Sequence, residues 1–209
     1  MTAVWGPLGW MTLHSVATSY SEAPAESEKQ LMRSWLDLFR DTITCPSCRD
    51  HFTGLLANYR AQFPNMLNSR NDFAIFSFRA HNDVNRRLHK PMYGSVSECM
   101  QTLLKNVESR SAQHFRTTYL DHISRHFRTL RDAAGIAGLR KIQEMYKVEN
   151  DYIASRDTKF QVMIPEMNTI LASNVLNKDP QEARPRAVLA NSAQIGRISF
   201  TGGGFRLRR

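Results

Sequence analysis

Cysteine is scarce in this chain, which has only Cys45, Cys48 and Cys99 among 209 residues. So few cysteines exclude a disulfide-stapled secreted scaffold. Long apolar runs are missing too, and nothing approaches the roughly 18 residues that a membrane span requires. The opening MTAVWGPLGWMTLHS has no basic leader and no unbroken apolar stretch, so neither a signal peptide nor an anchor is expected. No alternating strand pattern of useful length occurs in the first hundred residues, and no internal repeat is present. What remains is ordinary for a soluble protein with its own core: 42% apolar and 22% charged residues. A cytoplasmic location and no membrane contact are the expectations.

Acidic residues are too few in the second half to balance its Lys and Arg. Residues 1–104 carry 10 Lys and Arg against 9 Asp and Glu, while residues 105–209 carry 18 against 10. The net charge of +9 therefore belongs almost wholly to the C-terminal part. Residues 180–209 hold six Arg, one acid and three consecutive glycines, the composition of a mobile or partner-ordered tail. Such a tail suits contact with nucleic acid or with an acidic protein surface. No sequence-specific nucleic-acid signature accompanies it.

What is present is helical periodicity. Residues 7–20 begin with Pro7, a good first-turn residue, and set Trp10, Leu13, His14 and Ala17 on one side. Residues 27–41 repeat Leu31, Trp35, Leu38 and Phe39. A third helix is expected to open at Pro46. A fourth, over 71–90, carries Phe73, Phe76, Ala80, Val84 and Leu88 on one stripe and ends before Pro91. A fifth covers 95–107. Two further helices over 112–134 and 137–156 are expected to break near Gly135 and Gly138, and another lies around 159–177. The fold class is all-α. The expected organisation is a helical domain over 1–108, a helical region over 109–178 and a basic tail over 179–209.

The sequence TITCPSCRDHF holds a Cys-x-x-Cys pair, Cys45 and Cys48. By itself the pair supports half a zinc site, a thioredoxin-like redox centre, or a disulfide serving another electron carrier. With a helix opening at Pro46, both sulfurs sit at its N-terminal end, where unpaired N–H groups and the helix dipole favour a thiolate. Arg49 adds positive charge. A zinc site would recruit His51 and His81, although the second cysteine pair usual in such sites is missing. The fourth helix adds Phe78, His81, Asn82, Asn85 and His89 opposite its apolar stripe, where Lys, Arg and Glu would normally meet water. Asn82 and Asn85 offer the donors and acceptors that an aromatic heterocycle requires. His122 and His126, with His114 two turns earlier, read as the solvated face of a basic helix rather than a metal-binding one.

The series GPLGWMTLH, CPSC and HNDVNRRLHKP resembles the flavin-dependent sulfhydryl oxidases of the Erv/ALR type, over residues 4–104. Within that family the short length and sparse cysteines resemble the versions encoded by large DNA viruses. The resemblance implies an FAD-binding four-helix bundle with a short fifth helix, commonly paired as a homodimer. It implies that Trp10 and His14 contact the cofactor from the first helix, with Gly6 nearby. His81, Asn82, Val84, Asn85 and Lys90 would line it from the fourth, with His51, Phe78 and Tyr93 as further candidates. Lys90 would meet a phosphate. Cys45 would be the exposed cysteine that exchanges with incoming thiols and Cys48 the flavin-proximal one. The implied activity is thiol oxidation, with electrons passing from dithiols through Cys45 and Cys48 to FAD and then to O2, giving H2O2. No resident metal is expected.

The chain departs from that family in three places. The structural disulfide of cellular members would fall near Phe78 and Ser95, and neither is cysteine. A second, shuttling pair is absent, because only Cys99 remains. A separate thioredoxin-like protein is therefore the expected electron donor, and Cys99 is expected to be a small core residue. Thr44 stands where the family often has proline. The competing readings are a basic structural or virion-assembly protein on an oxidase-like scaffold, and a zinc-binding adaptor. For a virus-encoded chain the location would be the host cytoplasm or virus factory, with packaging in the virion left open.

Overall fold

The computed structural model describes residues 2–107 and 111–156. The helix expected around 159–177 and the basic tail lie outside them. Among the described residues there are seven α-helices and no strand. They are α1 (Thr2–Ser19), α2 (Glu26–Asp41), α3 (Pro46–Gln62), α4 (Arg70–Arg87), α5 (Val96–Val107), α6 (Ala112–Thr129) and α7 (Ala133–Val148), followed by a π-helical turn at Glu149–Ile153. The all-α expectation holds.

Helix α1 is the hub, packing against α4, α5 and α6. Every side chain from Met11 to Tyr20 is buried, polar ones included. A helix buried all round must partner most of its hydroxyls, and Thr12 Oγ1 is the exception in this stretch, with no partner among the described residues. Ser15 donates to the Thr12 carbonyl at 3.0 Å and Thr18 to the His14 carbonyl at 3.0 Å. Pro7 does not open this helix as expected, because α1 begins at Thr2 and takes the proline inside its second turn. Only one backbone bond is lost there, close to the end where N–H groups are unpaired anyway.

Helix α3 does open at Pro46, with Cys45 in extended conformation as its N-cap. Helix α4 is capped by Ser69, whose hydroxyl accepts from the Asp72 N–H at 3.1 Å. It ends at Arg87, three residues short of the expected boundary. His89 adopts φ 52°, the left-handed conformation. The His89 N–H donates to the Arg86 carbonyl at 3.1 Å and the Lys90 N–H to the Asn85 carbonyl at 2.8 Å. This is a Schellman closure with histidine in the place usually taken by glycine. The pattern of apolar residues continued to Leu88, but the turn chemistry ended the helix first.

The second half folds onto the first. Helices α6 and α7 pair with each other, α6 lies on α1, and α7 lies on α2. Phe115, Tyr119, Leu120, Ile123, Phe127, Ile142 and Met145 join one core with Leu13, Trp35 and Phe39. The break expected near Gly135 and Gly138 falls instead at Leu130–Asp132, and both glycines lie inside α7. Asp132 caps α7 by accepting from the Gly135 N–H at 2.8 Å. The glycines are there for close approach. A Cβ at Gly135 would stand 1.9 Å from the Leu130 carbonyl oxygen, and one at Gly138 2.1 Å from the Phe127 ring.

Candidate functional site

Cys45 and Cys48 form a disulfide across the first turn of α3, with Cα atoms 5.2 Å apart. Both are half-buried, while Pro46 and Ser47 between them are exposed. Cys48 packs against the core and Cys45 faces its own Ser47 hydroxyl at 3.5 Å. The inner sulfur is thus sheltered and the outer one accessible, at a helix N-terminus that stabilises a developing thiolate.

One turn after Cys48, His51 directs Nε2 to the Asp83 carboxylate at 3.2 Å. Its Nδ1 is buried and has no partner among the described residues. Burial and the nearby Arg87 hold its pKa below the ordinary histidine value, against the opposing pull of Asp83. Asp83 also takes the guanidinium of Arg86. Neither contact was legible in the sequence, which singled out the α4 face one residue away from Asp83.

Deeper in, α1 and α4 bring four rings together. The Trp10 ring lies flat on His81, with centroids 4.1 Å apart and planes within 7°. His14 flanks both, and Tyr93 meets His81 edge-on at 5.1 Å. The proton positions follow from the bonding. Ser77 gives its hydroxyl proton to the Ala74 carbonyl at 2.8 Å, so its oxygen accepts from His14 Nδ1 at 3.0 Å. His14 Nε2 is then a bare acceptor, and His81 Nδ1–H donates to it at 2.8 Å. His81 is left with Nε2 unprotonated. Both rings are neutral: burial lowers the His14 pKa to about 3 and drives His81 well below the ordinary value.

Cys99 completes this cluster, its Sγ 3.4 Å from His14 Nε2 and 3.9 Å from His81 Nδ1. It is buried as expected, and burial raises its thiol pKa. A thiol so placed is a poor nucleophile and is out of reach of another chain. His14, His81 and Cys99 offer the one close grouping of metal-ligating types among the described residues. Their mutual hydrogen bonds already account for it. The zinc alternative built on Cys45, Cys48, His51 and His81 is not brought together, because the cysteines are joined, His51 is bound to Asp83 and His81 to His14.

The asparagines are placed differently from the expectation that they face a heterocycle. Asn82 donates to the Tyr93 carbonyl at 2.9 Å and accepts from the Tyr93 N–H at 2.9 Å. Asn85 donates to the Pro91 carbonyl at 3.2 Å. Together they fasten the segment after α4 back onto the helix and hold Tyr93 against His81. Val84 is half-buried, Lys90 is exposed, and Phe78 lies in the apolar core. Gly6 is half-buried with nothing near an added Cβ, so packing alone does not demand glycine.

These residues fit FAD. The orphaned His51 Nδ1, the flat aromatic stack of Trp10 and His81 and the bare His81 Nε2 suit an uncharged aromatic heterocycle, and the exposed Lys90 suits a phosphate. Among the described residues His122 and His126 join no grouping of metal-ligating side chains, and both are half-buried on α6 rather than fully solvated.

The Erv1/Alr family model matches residues 8–106. The chain is similar to the FAD-linked sulfhydryl oxidase of African swine fever virus (isolate Pig/Kenya/KEN-50/1950), at 35% identity over 109 residues. That match covers 50% of this chain and 87% of the viral protein. The counterpart from isolate Tick/Malawi/Lil 20-1/1983 is 34% identical over the same shares. The mitochondrial FAD-linked sulfhydryl oxidase ERV1 of Saccharomyces cerevisiae is 32% identical over 88 residues, covering 42% of this chain and 44% of the yeast protein. No solved structure is a significant match.

Proposed function

The chain belongs to the Erv1/Alr family, and from that premise we propose that it is an FAD-dependent thiol oxidase forming disulfides in protein substrates. The observation that carries this reading is the accessible Cys45–Cys48 disulfide at the N-terminus of α3, with Cys48 on the inner side. A substrate thiolate attacks Cys45 Sγ, breaking the Cys45–Cys48 bond and releasing Cys48 as a thiolate. The second substrate thiol then attacks the mixed disulfide, leaving as a disulfide and restoring Cys45 as a thiol. The helix dipole of α3 and the charge of Arg49 stabilise the Cys48 thiolate. FAD held beside Cys48 would supply the two-electron acceptor that lets the Cys45 and Cys48 thiols re-form their disulfide, with O2 as the terminal oxidant yielding H2O2.

The residues that would hold the cofactor are Trp10, His14, His81 and Tyr93 as its aromatic and imidazole surround. Gly6, His51, Val84 and Lys90 would stand at its margin. Asn82 and Asn85 act by fixing the 91–93 segment, and Phe78 acts from the core beneath α4. The reading includes a thioredoxin-like protein as donor, a homodimer formed through faces that α6 and α7 leave open, and a cytoplasmic location. For a virus-encoded chain that means the host cytoplasm. Contact of the basic tail with nucleic acid or an acidic surface belongs to the same proposal.

The test is an absorbance spectrum of the purified protein together with oxygen uptake on addition of dithiothreitol. Flavin bands with oxygen consumption are expected. A colourless protein that consumes no oxygen overturns the reading, and bound flavin without turnover favours the scaffold alternative.

A further inference from the structure

Five consecutive exposed residues, Arg86, Arg87, Leu88, His89 and Lys90, end α4 and form its closing turn. His89 closes this turn in the left-handed conformation. Arg87 Nη1 donates to the Ser47 carbonyl at 3.4 Å, which sets the end of α4 against the peptide between the two cysteines. Two large apolar side chains are uncovered beside it, Leu88 at 52% exposure and Met92 at 36%.

The surrounding charge is lopsided. Arg49, Arg86 and Arg87 are cationic. The acids near them are Asp50 and Asp83, and Asp83 is already engaged by Arg86 and His51. Among the described residues Arg87 has no carboxylate partner. An exposed apolar pair ringed by cations next to a reactive disulfide is a composite surface. The apolar centre distinguishes it from a phosphate-tracking nucleic-acid groove, and a nucleic acid has no thiol to deliver.

We propose that this face docks a protein dithiol whose cysteines lie in an acidic segment carrying an apolar residue. The inference rests on electrons entering at Cys45, and it names the class of substrate that brings them. In the docked pair the substrate's two thiols become a disulfide while Cys45–Cys48 becomes two thiols, so electrons and protons balance. Opposite charge raises the encounter rate and selects among partners more than it adds affinity.

The experiment uses the full chain in its oxidised form, without oxygen. It is mixed with excess of two synthetic dithiol peptides sharing one Cys-x-x-Cys core, flanked by Asp and Leu in one and by Lys and Leu in the other. Dithiothreitol is the neutral reference, and reduction of Cys45–Cys48 is followed by thiol alkylation and mass, a readout that needs no flavin. The acidic peptide is expected to react about tenfold faster at low salt, and the gap to close at high salt as charges are screened. The variant L88E, which removes the apolar centre and adds an acid, is expected to lose that advantage while its reaction with dithiothreitol is unchanged. Equal rates for the two peptides overturn the proposal, as does an equal loss with dithiothreitol. It also falls if a DNA oligonucleotide slows both peptides alike while they react equally. Failure of the oxidase reading looks different: the disulfide is reduced but no oxygen is consumed when air is admitted.

Discussion

In the ring cluster between α1 and α4 the buried imidazoles are neutral, whereas α6 and the π-helical turn bury a full ion pair. His14 and His81 hold each other through one shared proton, and burial keeps both uncharged. Arg116 and Glu149 meet in a two-point bridge at 2.7 and 2.9 Å, with side chains 1% and 2% exposed. The first arrangement leaves a ring surface that a flat ligand can share. The second joins α6 to the turn after α7 and tolerates no partial version. One region buries polarity for chemistry and the other for fastening.

This comparison can be broken in order of effect. The largest loss is expected from Cys48→Ser in the first region, which should lower thiol oxidation by more than about a thousandfold while FAD stays bound. Steady-state oxygen uptake and the flavin spectrum report the two quantities separately. In the second region Arg116→Met should leave Glu149 buried and unpaired, at a cost of about 3–5 kcal/mol in stability with the cysteine chemistry untouched. Denaturant titration checks it, and adding Glu149→Leu should restore most of the loss.

A smaller effect is expected from Gly138→Ala, where the new methyl meets the Phe127 ring. About 1–3 kcal/mol should be lost, read from the shift in thermal midpoint. The neutral pair predicts a pH dependence. His14 titrates at 6.5 when unfolded and at about 3 when folded, so below 6.5 the unfolded chain binds the extra proton. The histidine contribution to stability is therefore complete above 6.5 and is lost as pH falls from there towards 3. Denaturation midpoints at pH 7 and pH 4.5 should differ less in His14→Gln than in the parent. The smallest change expected is a gain of about 1 kcal/mol for His89→Gly, because glycine enters the left-handed region without strain.

Much of the first region was legible in advance. Pro46 marked the start of α3, and the resemblance to the Erv/ALR family implied that Trp10, His14 and His81 meet at one end of the bundle. What escaped was tertiary. Ser77 and Asp83 carry no motif of their own, and their roles appear only once His14 and His51 arrive from other helices. The asparagines were singled out to face a heterocycle, but their amides hold the backbone of Pro91 and Tyr93, which no helical period could reveal. In the second region the glycines of α7 suggested a break because close packing leaves the same mark as a turn. Asp132, three residues before Gly135, was the cap signal that would have set the boundary correctly.

Gly9, one residue before Trp10, faces the ring of Tyr119 on α6, with 3.4 Å between that ring and an added Cβ. The two positions share one space, so they do not vary independently. A larger residue at 9 asks for a smaller one at 119, and the reverse. Phe39 on α2 and Trp5 on α1 also stand 3.8 Å from that added Cβ, and through Tyr119 the second half of the chain helps set the size allowed in the helix that carries Trp10 and His14.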